Sequence, residues 1–355
     1  MNLPVNPSVL PMLAKRVAQI PESGEWVFEP KWDGFRTLVF RDHNEILIQS
    51  RDCKSLNRYF PELVATLLQQ LPMKCVLDGE IVIAAQGRLE FDALQLRIHP
   101  AASRIKLLAE QKPAAIVFFD LLCLGELDLR AEPLGKEKET FRVASGGKSA
   151  NPPDSSTRDR DIAQDWFRRF EGAGLDGVMA KPIGGQYEPG KRSMLKIKHV
   201  RDCDCVVAGF RWHKGGEGIA VGSLLLGLYN ATSVLHHVGV CASFTVAKRR
   251  ELVEFLAPFR HNASNGHPWC DGAEGSTQQM PGGPSRWNAK KDLSWVALRP
   301  ELVVEVAYEH MQGDRFRHMA QFRRWRPDKR PEDCTYVQLE IVPPEELGVV
   351  FATGR

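Results

Sequence analysis

A chain of 355 residues, 43% hydrophobic and 26% charged, is too long for one ordinary domain of roughly 150 residues and has apolar content for two packed cores, which excludes wholesale disorder. A net charge of +3 excludes a strongly acidic or strongly basic protein. The longest apolar stretch, Ala114 to Leu124, is broken by Asp120, and prolines interrupt the N-terminal MNLPVNPSVLPMLAKR, so neither a membrane span nor an export signal is expected and the location is expected to be cytoplasmic.

In chain order, runs rich in β-branched and aromatic residues predict strands at Trp26–Glu29, Phe35–Phe40, Glu45–Gln49, Cys75–Ala84, Ala114–Leu122, Gly177–Ala180 and Ser193–Lys198. Pro61 followed by Val64, Leu67, Leu68 and Leu71 predicts a helix. A second helix is expected from about Asp159 to Phe170, with Ile162, Trp166 and Phe170 on one face and Gly172 and Gly174 ending it. Ser145–Arg160 reads as an exposed loop. Beyond Arg201 the predicted strands are Cys205–Phe210, Ser223–Tyr229, Val234–Val240, Leu302–Tyr308 and Thr335–Ile341, with one helix near Lys248–Leu256 that stops before Pro258. Asn262–Asn288, rich in Gly, Pro, Ser and Asn, reads as a long loop. Five strands with one helix fit a small oligonucleotide-binding β-barrel. The expected class is therefore α+β, divided into residues 1–201 and 202–355.

The eight cysteines include no Cys-x-x-Cys pair, so they read as reduced thiols rather than a disulfide frame or zinc site. The charge is unevenly spread. Between Lys181 and Lys214 there are eight Lys/Arg against three acids, and between His310 and Arg330 seven against two. Tyr187, Phe210, Trp212, Phe316, Phe322 and Trp325 lie among them, a composition suited to a phosphate-rich partner or to a solvated charged face.

Lys31 sits in Glu29-Pro30-Lys31-Trp32-Asp33-Gly34-Phe35-Arg36, between a strand and a glycine turn. A lysine becomes a nucleophile only once it loses its proton, through burial or nearby cations; otherwise this one is a surface residue before a turn. In Asp78-Gly79-Glu80 the two carboxylates are two residues apart on a strand and share a face. Phe119 of Phe118-Phe119-Asp120 is either core or a platform for a base. In Ser193 to Lys198, alternation puts Lys196 and Lys198 opposite Leu195 and Ile197, which suits either a polyanion seat or a guarded edge strand. Arg326-Pro327-Asp328-Lys329 lies within the C-terminal basic segment.

Taken in order, these segments resemble the motifs of the covalent nucleotidyltransferases, and among them the ATP-dependent DNA ligases. Lys31 to Gly34 is similar to motif I, Ser50-Arg51 to Ia, Asp78-Gly79-Glu80 to III, Phe119-Asp120 to IIIa, Asp176 to Lys181 to IV, Lys196-Ile197-Lys198 to V and Arg326 to Lys329 to VI. Pro11-Met12-Leu13-Ala14, Phe91 to Gln95 and Arg315 to His318 most resemble the short bacterial ligases of the C type, relatives of the ligase domain of ligase D. Motif IV departs from the usual pattern: Asp176 replaces a glutamate, a carboxylate one methylene shorter.

The resemblance implies a nucleotidyltransferase domain of ATP-grasp-like antiparallel sheets with helices, then an OB-fold. It implies an enzyme that seals nicks in double-stranded DNA. Lys31 takes AMP from ATP, passes it to the 5′-phosphate, and the 3′-OH then displaces it. Lys181, Lys196 and Lys198 are expected to bind the α-phosphate and to lower the pKa of Lys31 by crowding it with charge. Glu29 is implied at the adenine edge, Phe119 stacked on the base, Glu80 on the ribose, and Arg36 and Arg51 on the ribose or nick phosphate. Arg326, Asp328 and Lys329 are implied to orient pyrophosphate, with a hinge near His199–Asp204. Mg²⁺ or Mn²⁺ is the expected metal, with Asp176 its candidate ligand. A monomer acting in repair near the nucleoid, alongside a polymerase or primase, completes the expectation. The competing readings are an RNA ligase, a GTP-using capping-type enzyme, and a non-catalytic OB-fold protein.

Overall fold

The computed structural model describes residues 1–134, 156–270, 278–282, 292–340 and 342–343. They fall into two compact units, one of residues 1–198 together with 342–343 and the other of the described residues from His199 to Glu340. Among the described residues no helix is long and apolar enough to cross a membrane.

The first unit runs β1 (Ala14–Val17), β2 (Trp26–Pro30), β3 (Phe35–Asp42), β4 (Glu45–Ser50), α1 (Pro61–Gln70), β5 (Lys74–Val82), α2 (Phe91–Leu96), α3 (Ala102–Gln111), β6 (Ala115–Leu124), α4 (Arg160–Arg169), β7 (Val178–Pro182) and β8 (Met194–Ile197). One sheet has the order β1-β8-β7-β2, antiparallel except for the parallel pair β1–β8. The other joins β4-β3-β5-β6, with a two-residue strand, Leu127–Asp128, at its edge.

Each sheet buries one face under a helix. Phe28, Val178, Ala180 and Ile197 of the first sheet pack on Trp166 and Phe170 beside α4. The Asp159 carboxylate caps that helix by accepting from the backbone N–H groups of Asp161 and Ile162, as its short polar side chain suits. Val39, Ile48 and Leu77 of the second sheet pack on Leu63 and Leu67 of α1. The second sheet's other face carries Leu38, Phe40, Val76 and Leu122, against which the N-terminal Leu3, Val5, Val9 and Met12 pack together with Tyr187 and Met194. The polar residues treated below lie on the two faces not covered by helices.

The second unit runs β9 (Arg201–Trp212), β10 (Val221–Tyr229), β11 (Leu235–Cys241), α5 (Val246–Arg260), β12 (Val296–Tyr308) and β13 (Gln321–Trp325). Its sheet has the antiparallel order β11-β10-β9-β12-β13, and its edges meet where Cys241 bridges Ala320. This closure forms the expected small barrel, whose core includes Phe210, Leu224, Leu226, Leu252, Val304 and Val306.

The structure departs from the sequence reading at four places. Of the expected strand Thr335–Ile341, the described residues 335–340 are not a strand: Tyr336–Gln338 is a 3₁₀ turn, and the Gln338 side chain accepts from the Asp204 N–H and donates to the Asp204 carbonyl, replacing a ladder. The fifth strand of the barrel is β13, whose Gln-Phe-Arg-Arg-Trp sequence is masked by charge. Arg323 and Arg324 reach Asp202 and Glu305, so the charges are partnered at a sheet edge. Helix α5 runs through Pro258 to Arg260, and the Arg299 guanidinium donates to the Pro258 and His261 carbonyls, which satisfies acceptors at its C-terminal end. Helices α2 and α3 were not expected. Most of the Ser145–Arg160 loop and about half of Asn262–Asn288 lie outside the described residues.

Candidate active site

Lys31 follows the last residue of β2, where the ladder continues through backbone: the Lys31 N–H donates to the Gly177 carbonyl at 2.9 Å and the Asp176 N–H to the Lys31 carbonyl at 2.8 Å. This exchange sets the two side chains together. Lys31 Nζ lies 2.5 Å from Asp176 Oδ2, and Lys198 Nζ lies 2.9 Å from the same oxygen. Two lysines from different strands therefore share one carboxylate that is nearly buried. Gly177 makes the approach possible: its φ is +129°, and a Cβ there would stand 2.1 Å from the Ile197 carbonyl oxygen. Gly34 plays the same part on the other side of Lys31, since a Cβ there would meet the Ile81 carbonyl oxygen at 2.0 Å.

Lys181 is placed differently from the expectation. Its ammonium does not pair around Lys31 but is buried between Asp120 Oδ1 at 2.6 Å and Glu29 Oε2 at 3.0 Å. The register explains this. Glu29 pairs with Met179, so Lys181, two residues on, shares the face of Glu29. Lys196 also pairs with Met179 and belongs to that face, beside Arg16. Burial pushes the Asp120 carboxyl above its ordinary pKa, with Lys181 opposing the shift.

The second sheet supplies the facing groups. Arg36 pairs with Glu80 and Leu38 with Asp78, so all four side chains share a face. A bulge places Phe119 on the site side: Asp78 pairs with Asp120 and Gly79 with Phe118, leaving Phe119 as the extra residue. Thus Phe118 enters the helix-covered core while Phe119 lies under two cations, Arg36 at 4.3 Å and Lys181 at 5.0 Å from its ring centroid. Gly79 lets the strands close at the bulge, where a Cβ would stand 2.6 Å from the Val117 carbonyl oxygen.

The Arg36 guanidinium forks onto Asp78, Nε to Oδ1 at 2.6 Å and Nη2 to Oδ2 at 2.7 Å. The Tyr187 hydroxyl donates to the same Oδ2 at 2.5 Å. Desolvation lifts the Glu80 carboxyl to about 7, opposed by the charges of Lys31 and Arg36. Arg51 lies in an exposed turn just after β4, beside the Ser50–Thr37 pair. Sequence reasoning passed over Asp78, Asp120 and Tyr187. Asp78 and Asp120 stood inside segments already singled out, but Tyr187 carried no local signal beyond being an aromatic among basic residues.

In the second unit, Arg326 is enclosed by carboxylates. Its Nη1 lies 2.9 Å from Asp204 and 3.2 Å from Glu305, and its Nη2 2.8 Å from Asp328. Lys329 lies 3.9 Å from Asp204. The hydrogen bond from Arg326 is the main reason the Asp328 carboxyl is held down at about 2.

Among the described residues no group of three or more His, Cys, Asp or Glu side chains is disposed to hold a metal ion by itself. A single oxygen ligand, Asp176, beside two lysines fits a hard divalent cation that takes its remaining ligands from phosphate and water, the ordinary habit of Mg²⁺. The aromatic face of Phe119, the carboxylates of Glu29 and Glu80 and the Lys198 cation beside Lys31 are groups suited to a nucleoside triphosphate.

Comparison with known proteins agrees. The family model described as "ATP dependent DNA ligase domain" matches residues 11–198, and that described as "ATP dependent DNA ligase C terminal region" matches residues 217–329. The chain is 51% identical to DNA ligase C2 of Mycolicibacterium smegmatis over 97% of both chains. It is 30% identical to the multifunctional non-homologous end joining protein LigD of the same organism, over 92% of this chain and 39% of that one. A solved Lig E DNA ligase shares the fold with a TM-score of 0.53 at 15% identity, over 90% of this chain and 100% of the other. The chain belongs to the ATP-dependent DNA ligases. It uses ATP, through a lysyl-AMP adduct, and a divalent metal to join DNA.

Proposed function

We propose that Lys31 is the residue that carries AMP, and that the cleft between the two sheets of the first unit binds the nucleotide. The observation that carries this reading is the Lys31–Asp176–Lys198 cluster: an amine held beside one cation and one carboxylate. A divalent cation bound at Asp176 would supply charge neutralisation of the phosphates. In the first step the Lys31 Nζ lone pair bonds to the α-phosphorus, the bond to pyrophosphate breaks, and the proton leaves the amine. Lys196 and Lys198 face the α-phosphate, where negative charge develops. Phe119 stacks on the base, Glu29 accepts from its edge, and Glu80 hydrogen-bonds the ribose. Lys181 supports Glu29 from behind rather than meeting phosphate. Arg36 and Arg51 hold ribose or nick phosphate, while Arg326, Asp328 and Lys329 act on pyrophosphate.

Nick sealing in DNA repair, in the cytoplasm on the nucleoid, follows as the role of the whole chain, working as a monomer beside a repair polymerase or primase. Similarity to an end-joining ligase supports the repair assignment. The first test is mass spectrometry after mixing with ATP. A gain of one AMP that Lys31→Ala abolishes supports the reading; adduct formation in that variant refutes it. Transfer of the label to nicked DNA, and not to nicked RNA, identifies the acceptor.

A further inference from the structure

Behind the cleft a hydrogen-bonded relay runs from the N-terminal segment to the platform under the base. The Met12 N–H donates to the Tyr187 hydroxyl oxygen at 3.0 Å, and that hydroxyl donates to Asp78 Oδ2 at 2.5 Å. Asp78 receives the Arg36 fork, and the guanidinium lies 4.3 Å from the Phe119 centroid. Both middle members are shut away from solvent: Asp78 is 0% and Tyr187 3% exposed. Tyr187 is itself pinned by backbone, its N–H donating to the Arg130 carbonyl at 3.1 Å. Its neighbourhood is tied to the N-terminal segment through Gly190 to Pro11 and Leu13 to Lys191.

The geometry gives the phenol a specific task. A two-pronged fork fixes a guanidinium in the plane of its carboxylate, but it does not fix that plane. The terminal torsion of an aspartate is broad, so the carboxylate and its arginine can turn together. A third donor, anchored elsewhere and bound to one oxygen, removes this freedom. Tyr187 is that donor. Burial and the neighbouring Asp78 charge push the phenol well above its ordinary pKa, so it remains a donor at every working pH.

We propose that Tyr187 is a positioning residue: by fixing the plane of Asp78 it holds the Arg36 guanidinium over Phe119 and so shapes the nucleotide cleft. This rests on the reading that Arg36 and Phe119 contact the nucleotide. Tyr187 touches neither substrate nor reacting atoms.

The test is a double-mutant cycle on Tyr187→Phe and Arg36→Ala, read as KM for ATP and as the maximal rate of lysyl-AMP formation in single turnover. Removing one hydrogen bond to a charged group is expected to raise KM about 5–10-fold in Tyr187→Phe, with the maximal rate changed less than about 2-fold. In the Arg36→Ala background the same change is expected to do nothing further, because there is no arginine left to orient. A purely structural role predicts the opposite, equal losses in both backgrounds, and that result overturns the proposal. An unchanged KM in Tyr187→Phe overturns it too. If Arg36→Ala itself leaves KM unchanged, the reading of Arg36 falls and takes the proposal with it, an outcome distinct from the other two. Should Tyr187→Phe fold poorly through its orphaned Met12 N–H, Asp78→Asn is the second variant. It leaves that bond in place, weakens the grip on Arg36, and is expected to raise KM alike; an unchanged KM there refutes the relay.

Discussion

Replacing Glu80 by glutamine is expected to make the protein more stable at neutral and alkaline pH while impairing its reaction with ATP. The reason is the environment of the carboxyl. Desolvation between the sheets raises its pKa from 4.5 to about 7, although Lys31 and Arg36 pull the other way. Between those values the native state keeps a proton that the unfolded chain has released. Unfolding then releases that proton, so rising pH favours unfolding. The penalty is absent below pH 4.5, grows through the interval, and is complete above pH 7. At roughly 1.4 kcal/mol per unit it reaches at most about 3.5 kcal/mol. Glutamine imitates the protonated acid at nearly the same volume and escapes the penalty.

The assay is thermal unfolding of the AMP-free enzyme and of Glu80→Gln at pH 5 and pH 8, the difference between proteins cancelling other titrating groups. At ~2–4 °C per kcal/mol for a unit of this size, Glu80→Gln is expected to melt up to about 7–14 °C higher than the parent at pH 8 and within about 3 °C of it at pH 5. A difference that is the same at both pH values, or larger at pH 5, refutes the reasoning. Lysyl-AMP formation by the variant is expected to fall roughly tenfold or more as an ionised partner for the ribose is lost.

Other perturbations probe the remaining parts. Lys181→Ala strands Glu29 and Asp120 as buried carboxylates and is expected to cost about 3–5 kcal/mol in chemical denaturation, as breaking a buried ion pair does; a cost below about 1 kcal/mol would falsify the pairing. Gly34→Ala sets a methyl 2.0 Å from the Ile81 carbonyl oxygen, where only backbone can yield. A loss of about 1–3 kcal/mol together with failure to form lysyl-AMP is expected, measured by melting and by mass. Asp204→Ala removes one wall of the carboxylate cage around Arg326. It is expected to slow lysyl-AMP formation roughly tenfold while sealing of a pre-adenylylated nick stays within about 2-fold. Equal loss in both steps counts against a cage that serves pyrophosphate release alone.

Much of the site was legible because its residues sit on short, locally coded elements. The strand alternation that put Lys196 and Lys198 opposite Leu195 and Ile197 is visible in six residues, and so are the glycines beside Lys31 and Glu80. The ordered motifs made the ATP-dependent ligase family readable before any coordinates. The partners of those residues were not legible. Lys181 was expected beside Lys31, yet the cross-strand register sends it to Glu29 and Asp120. Only a bulge decides that Phe119 and Asp120 share the site face, since alternation would send Asp120 to the core side with Phe118.

The amino-acid order alone determined the two-part α+β organisation and most strand positions, and its ordered motifs pointed to Lys31 as the amine of the proposed reaction. It could do so because periodicity, turn residues and nucleophile flanks are properties of a few consecutive positions. Tertiary structure alone decided that Lys31 and Lys198 share Asp176, that β13 rather than Thr335–Ile341 completes the barrel, and that Tyr187 reaches Asp78. These are contacts between groups as far as 145 positions apart along the chain, as Lys31 and Asp176 are, and no local pattern encodes them. Register, burial and the closing of one sheet on another set which charges meet.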